Sequence, residues 1–393
     1  MTGTDAHAGT AAFMDIRSKL PDVGTTIFTV MSRMAADCGA INLSQGFPDF
    51  PVDKKLTGLV SRYMDEGYNQ YAPMAGLPEL LDAVAAVVNR TYGYDPDPEK
   101  EITITAGATE ALFSSIAAFV HPGEEVIIFD PSYDAYDPAV QLCGGRPVRI
   151  TLRPPDFAID WDLVEKSITP KTRMIMINTP HNPTGMTYTP GDLRELERIA
   201  LKHGLIVLSD EAYERIIFDD ERHEGILHYP GLRSQSIAVF SFGKTFHATG
   251  WKVGYTVAPP HLTNEIRRTH QFITFSINTA IQKALSEYLK DADHYDNIGS
   301  FYQKKRDLFL EQLRGSSFEP IPSRGTYFQL VSYRALSDKS EMDMAVEMTQ
   351  KHKVACIPVS VFYEQQLNQQ LLRFCFAKKD ETLEEAGRIL RTL

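Results

Sequence analysis

What most restricts this chain is a series of short, continuously apolar runs, each closed by a turn rich in Gly, Pro, Asn, Asp or Ser. Such runs occur over residues 101–105, 125–129, 174–177, 206–208 and 237–240, with helical patterns between them such as 110–120 and 192–203. A strand with no polar alternation has both faces covered, and strands alternating with helices build a parallel sheet with helices on each side. The turns carrying Gly107, Asn182, Asp210 and Lys244 each follow one of these runs. In an open sheet of this kind ligands bind at the carboxyl ends of the strands. Four separated motifs are therefore expected along one edge.

The rest of the chain sets the frame. With 393 residues it buries a large core, best divided between a larger and a smaller domain. Near Ala292 the pattern changes: 302–313 reads as a charged amphipathic helix, 326–330 and 371–376 as strands with one wet face, and 382–390 as a closing helix. We expect a disordered tail over 1–12, an N-terminal arm with part of the small domain over 13–50, a large cofactor-binding domain over 51–292, and a C-terminal α+β small domain over 293–393. A net charge of −11 argues against a nucleic-acid partner. The four cysteines lack CxxC spacing and suggest free thiols in a reducing compartment, so neither a disulfide frame nor a metal site is expected. We see neither a signal peptide nor a membrane span, and the expected location is cytoplasmic.

The strand-end residues suit an aldehyde cofactor, pyridoxal phosphate. Lys244, between Gly243 and Thr245, is the candidate Schiff-base amine, with Lys252 as a neighbouring cation. Asp210 can pair with a protonated pyridine nitrogen and keep the ring an electron sink. Tyr213, three residues on, and Asn182, in the rigid turn Pro180-His181-Asn182-Pro183-Thr184-Gly185, can both bond the ring oxygen. The Ala106-Gly107-Ala108-Thr109 turn opens a helix whose free N–H groups favour a phosphate, with Thr109, Ser241 and Lys252 as further donors. Tyr133 can stack on the ring. Arg373, inside an apolar strand, needs a partner, which a substrate carboxylate or an internal acid would supply.

Other chemistries fit less well. Gly243-Lys244-Thr245 imitates a P-loop end, but that loop needs glycine where Ala238 stands. No Gly-x-Gly-x-x-Gly follows a strand, and no Gly-x-Ser-x-Gly is present. His223 and His228 are one residue too far apart for a helical zinc pair, so they read as surface residues.

Taken together, these residues resemble the class I/II pyridoxal-phosphate aminotransferases of fold type I, from about Asn42 to Arg373. Gln45-Gly46-Phe47-Pro48, Asn69-Gln70-Tyr71 and Trp251-Lys252-Val253-Gly254 make the kynurenine/methionine aminotransferase branch the best match. Lysine at 252, where many relatives carry arginine, agrees with that branch. The resemblance implies that Ala108 joins the phosphate donors and that Gly46, Asn182 and Arg373 receive the substrate α-carboxylate. It also implies a homodimer with shared active sites, in which Tyr71 reaches the partner's phosphate while Phe28 and Phe275 line the partner's side-chain pocket.

The expected activity is ping-pong transfer of an amino group from an apolar, sulfur-bearing or aromatic amino acid, methionine-like, to a 2-oxo acid. Elimination from cysteine conjugates on the same cofactor is the alternative, since both begin by removing the Cα proton. A regulator that keeps the fold without catalysis is a third reading, disfavoured by a short, weakly basic N-terminal segment.

Overall fold

The computed structural model describes residues 17–393, so the expected 1–12 tail lies outside it. Its centre is a seven-stranded sheet. The strands are β2 (Ile102–Thr105), β3 (Glu125–Asp130), β4 (Arg146–Thr151), β5 (Thr172–Asn178), β6 (Ile206–Asp210), β7 (Ser236–Ser241) and β8 (Gly254–Val257), preceded in the chain by a short strand β1 (Ile41–Asn42). Their spatial order is β2-β8-β7-β6-β5-β3-β4. All run parallel except β8, which is antiparallel to both neighbours.

Alternate residues of each strand feed different cores, which explains the missing polar alternation. Val126 and Ile128 join one apolar cluster with Met174, Leu208 and Val239, capped by Ile116 and Ile266 from flanking helices. Ile127 and Phe129 point into the other, with Ile175, Val207 and Phe240 against Leu193 and Leu196. Each such side chain contributes about 1.5–3 kcal/mol on burial. The helix Pro190–His203, which supplies those leucines, starts on a Thr189/Asp192 capping box and stops at the left-handed Gly204.

Register brings the motifs together. Asn178 pairs with Asp210, Asp210 with Val239, and Ser241 with Gly254, which also faces Thr105. Because β8 runs backwards, its first residue lies at the edge where its neighbours end. That reversal, in a strand absent from the sequence reading, is what delivers Lys252 to the turn after β2.

A second sheet lies over that edge. It comprises β9 (Glu319–Pro320), β10 (Phe328–Ser332), β12 (Ile357–Pro358) and β13 (Leu371–Cys375), while β11 (Val354–Ala355) pairs with β1. The wet face expected for 326–330 and 371–376 does not exist: every residue of β10 and β13 is buried. Phe374 packs on Phe309 of the helix Ile298–Leu313, while Arg373 on the opposite face lies among Phe28, Phe328 and Phe362. Sandwiched strands cannot alternate.

His223 also departs from expectation. It is buried and its Nε2 lies 2.7 Å from Glu211, the fully buried neighbour of Asp210. A buried carboxylate needs a partner, and this ring supplies one. His228 is half-buried against the Tyr92 ring.

The tightest point of the scaffold is Gly254. A Cβ there would stand 2.5 Å from the Phe240 carbonyl oxygen and 2.9 Å from the Ala108 nitrogen. Gly254→Ala is expected to lower stability by about 1–3 kcal/mol through backbone displacement, read as a lower urea midpoint, and to weaken phosphate retention in the same variant.

Candidate active site

The strand ends enclose a cavity of about 260 Å³. Lys244, Asp210, Asn182 and Tyr213 line it beside Tyr133, and the phosphate candidates Ala108, Thr109, Ser241 and Lys252 form one end. Gly46 and Phe47 close it from the N-terminal segment. Arg373 sits behind Asn182. Phe28, expected at the partner's pocket, instead lies against Arg373 of its own chain, in an adjoining groove that also borders Tyr133. Tyr71 and Phe275 are not brought to the cavity; they stack edge-on at 5.4 Å and are exposed, Tyr71 by 84%.

Lys244 follows β7 in a single helical turn, Phe242–Thr245. Burial, more than the nearby charge of Lys252, depresses its amine to about 8. Asp210 closes β6 almost wholly buried, accepting from the Tyr136 hydroxyl at 2.7 Å and from the Ala212 amide at 3.1 Å. Burial raises its carboxyl even so, and no ion pair reaches it among the described residues. A buried carboxylate held ready without an ion-pair contact fits a protonated ring nitrogen.

The phosphate end fits as well. The helix Gly107–Phe119 has no side-chain cap, and Gly107 adopts φ +73°, which turns the chain sharply into it. Its first amides therefore stay available to an anion. Lys252, itself left-handed, brings Nζ to 3.4 Å from the Thr109 hydroxyl. These residues fit pyridoxal phosphate at both its charged ends.

Arg373 is the largest fully buried side chain among the described residues. Its guanidinium lies 3.9 Å from the Phe328 ring centroid and about 5 Å from those of Phe28 and Phe362. It donates to the Asn182 side chain at 2.8 Å and to the Ser44 carbonyl at 3.3 Å, while Nε has no partner. Burial lowers it to about 10. A guanidinium so caged is set for a carboxylate.

Several contributors escaped the sequence reading. Tyr136 stands one helical turn past Tyr133, a spacing that could have suggested a shared direction. Tyr327, read only as a strand residue, reaches Lys244, and Phe362 reaches Arg373 from a distant 3₁₀ turn. Nothing local marks either of these two.

Comparison with known proteins agrees with this geometry. The family described as "Aminotransferase class I and II" matches residues 39–390. Methionine aminotransferase of Escherichia coli is 47% identical, covering 96% of this chain and 98% of its own. Kynurenine–oxoglutarate transaminase 3 of Mus musculus is 33% identical over 95% and 89% of the two chains. Among solved structures, an Escherichia coli protein identified as having a methionine aminotransferase function superposes with a TM-score of 0.95 at 46% identity, covering 97% of this chain and 100% of its own. N-succinyldiaminopimelate aminotransferase from Mycobacterium tuberculosis gives 0.93 at 35%, covering 96% and 100%.

Asp210 generates a prediction for the cofactor-free protein. Its folded carboxyl titrates above its unfolded value, so folding binds a proton and stability falls as pH climbs through that interval. The penalty is complete above the folded value. Asp210→Asn is expected to raise the neutral-pH urea midpoint of the cofactor-free protein and flatten its acid-side pH dependence, while weakening cofactor retention. The chain belongs to the class I and II aminotransferases, pyridoxal-phosphate enzymes of fold type I.

Proposed function

We propose that this aminotransferase takes its amino group from an L-amino acid with an apolar, sulfur-bearing or aromatic side chain, methionine-like, and passes it to a 2-oxo acid. The observation that carries the reading is the caged Arg373 beside aromatic walls. Phe28 and Phe362 flank both the guanidinium and the adjoining groove, and Phe47 stands half-exposed at the cavity mouth. The groove also carries Asp134, which would repel an acidic side chain, and its arginine, Arg149, is engaged by Asp130, Asp137 and Glu364.

Pyridoxal phosphate, when bound, supplies an aldehyde carbon for the amino group and a ring that accepts the electron pair left as the substrate Cα–H bond breaks. Asp210 would hold the proton of the ring nitrogen, while Asn182 and Tyr213 bond the ring oxygen and Tyr133 covers one face. Thr109, Ser241, Lys252 and the amides from Ala108 would hold the phosphate. Arg373, with Gly46 and Asn182, fixes the substrate carboxylate. The Lys244 amine would take the Cα proton as general base and give it up again as general acid. Burial, which lowers the free Lys244 amine to about 8, leaves a neutral fraction of it at physiological pH.

The relatives named above are transaminases, which favours transfer over elimination from cysteine conjugates. We also propose a homodimer. The edge formed by Tyr71, Phe272 and Phe275 exposes aromatic surface of the kind normally covered by a partner. In that assembly Tyr71 would reach the partner's phosphate and Phe275 its side-chain pocket. Four unpaired cysteines support a reducing, cytoplasmic setting. Among the described residues, no helix is long and apolar enough to cross a membrane.

Three measurements test this. In single half-reactions, the cofactor absorbance of the loaded enzyme should respond to methionine and phenylalanine at least about tenfold faster, per unit concentration, than to aspartate; a faster response to aspartate refutes the specificity. Lys244→Ala should lose about a thousandfold or more of turnover, and full activity in that variant would remove Lys244 from the mechanism. Light scattering should report twice the chain mass, and Tyr71→Ala together with Phe272→Ala should shift the protein toward monomer.

A further inference from the structure

The amine of Lys244 is held from outside the central sheet. Its Nζ donates to the Tyr327 hydroxyl at 2.8 Å and lies 3.3 Å from the Gly46 carbonyl oxygen. Tyr327 donates its own proton to that same Gly46 carbonyl. With that proton directed at the Gly46 carbonyl, the phenolic oxygen accepts from the lysine, and the neighbouring Tyr213 hydroxyl shares the same oxygen. A neutral amine has two N–H bonds and one lone pair. Donation to Tyr327 and Gly46 uses both N–H bonds and leaves the lone pair for the cavity that Lys244 lines.

The arrangement is rigid. Tyr327 is fully buried and stands edge-on to Tyr213 at 5.1 Å and to Phe328 at 4.9 Å. Burial pushes its hydroxyl well above the ordinary range, so it remains a neutral phenol. The Gly46 carbonyl is equally fixed, because its segment is tied down on both sides. The Leu43 carbonyl accepts from the Cys375 amide at 2.8 Å, that of Phe47 from Lys378 at 2.8 Å, and the Asp49 carboxylate takes the Lys379 amide at 2.6 Å.

We propose that Tyr327 is a positioning residue for amino transfer: its hydroxyl holds the free Lys244 amine against the Gly46 carbonyl, lone pair toward the substrate Cα. The base is thereby tied to the segment expected to receive the substrate carboxylate. This rests on Lys244 being the base, as proposed above.

Tyr327→Phe tests it, since the variant keeps the ring and removes only the oxygen. Tyr302 supplies the matched control: its ring lies 5.6 Å from that of Tyr327, and its buried hydroxyl has no hydrogen-bond partner. The first readout uses cofactor-free protein, with acetylation of Lys244 followed by mass spectrometry across pH. A hydrogen bond from an ammonium is stronger than one from an amine, so loss of the acceptor favours the neutral form. The labelling midpoint is expected at about 8 in the parent; it should drop by about one pH unit in Tyr327→Phe and stay in place in Tyr302→Phe. The second readout is turnover of loaded enzyme: kcat falls about tenfold in Tyr327→Phe with KM for the amino acid within about twofold of the parent.

More free amine with slower turnover separates positioning from basicity. An unchanged midpoint with unchanged kcat in Tyr327→Phe overturns the proposal. So does an equal loss in Tyr302→Phe, or a lower urea midpoint with no shift in labelling, since either assigns Tyr327 to packing alone. Retained activity in Lys244→Ala would instead refute the base itself, while the labelling shift would still stand as a property of the cofactor-free protein.

Discussion

The register of the central sheet is the constraint on which everything else rests. Hydrogen bonding aligns Asn178 with Asp210 and Ser241 with Gly254 and Thr105, so that strands far apart in sequence stop along one line. A slip of one residue would turn each strand's side chains to the opposite face and scatter the set. Asp210 and Lys244 need no flexible loop to find each other. Backbone hydrogen bonds between buried strands place them, and the two apolar clusters on either face hold the strands flat against displacement. Gly254 then lets the Phe240 carbonyl and Ala108 amide approach more closely than any side chain would allow.

On this frame the electrostatics are deliberately incomplete. Lys252 at one end of the cavity and Arg373 behind the other are cations with little anionic company, while Asp210 between them is an anion without an ion-pair partner. Each imbalance matches a charge on a ligand: phosphate at Lys252, carboxylate at Arg373, ring nitrogen at Asp210. Asp210 and Arg373 are buried, and unpaired buried charge costs stability that is released when the ligands arrive, whereas Lys252 is exposed and bears no such cost. Lys244 is the exception, because burial brings its amine down to about 8, where both protonation states are accessible near neutral pH. It alone has to switch between donor and acceptor of a proton.

How much of this was legible depended on whether the chemistry was local. Asn182, Asp210 and Lys244 each stand in a turn directly after an apolar run, so the motif and its place on the sheet could be read together. The boundaries of those strands were also readable, because two-sided burial removes polar alternation. Strand β8 was not, since Gly254–Val257 is short and its antiparallel direction is decided by its neighbours. The wet face assigned to β10 and β13 failed for a related reason: what covers them, the helix Ile298–Leu313 on one side and the ligand edge on the other, is a tertiary fact. Tyr136, Tyr327 and Phe362 reach the site through packing alone. His223 was misjudged because its partner, Glu211, is buried by the same strand end that exposes Asp210 to the cavity.

That division explains why relatives so alike in fold carry different substrate names. The reacting set stands on the central sheet, where a change of register would destroy both stability and chemistry. The groups proposed to meet the substrate's side chain and carboxylate come from elsewhere: Phe28 from the N-terminal helix, Gly46 and Phe47 from the following segment, Phe362 and Arg373 from the second sheet and its turn. Arg373 joins the two sets through a single hydrogen bond to Asn182. Residues such as Phe28 and Asp134 can therefore vary without disturbing the alignment of Asp210 and Lys244. Specificity is free to drift at the walls while the sheet holds the reaction constant, and the methionine-like preference proposed above would be a property of those walls, not of the fold.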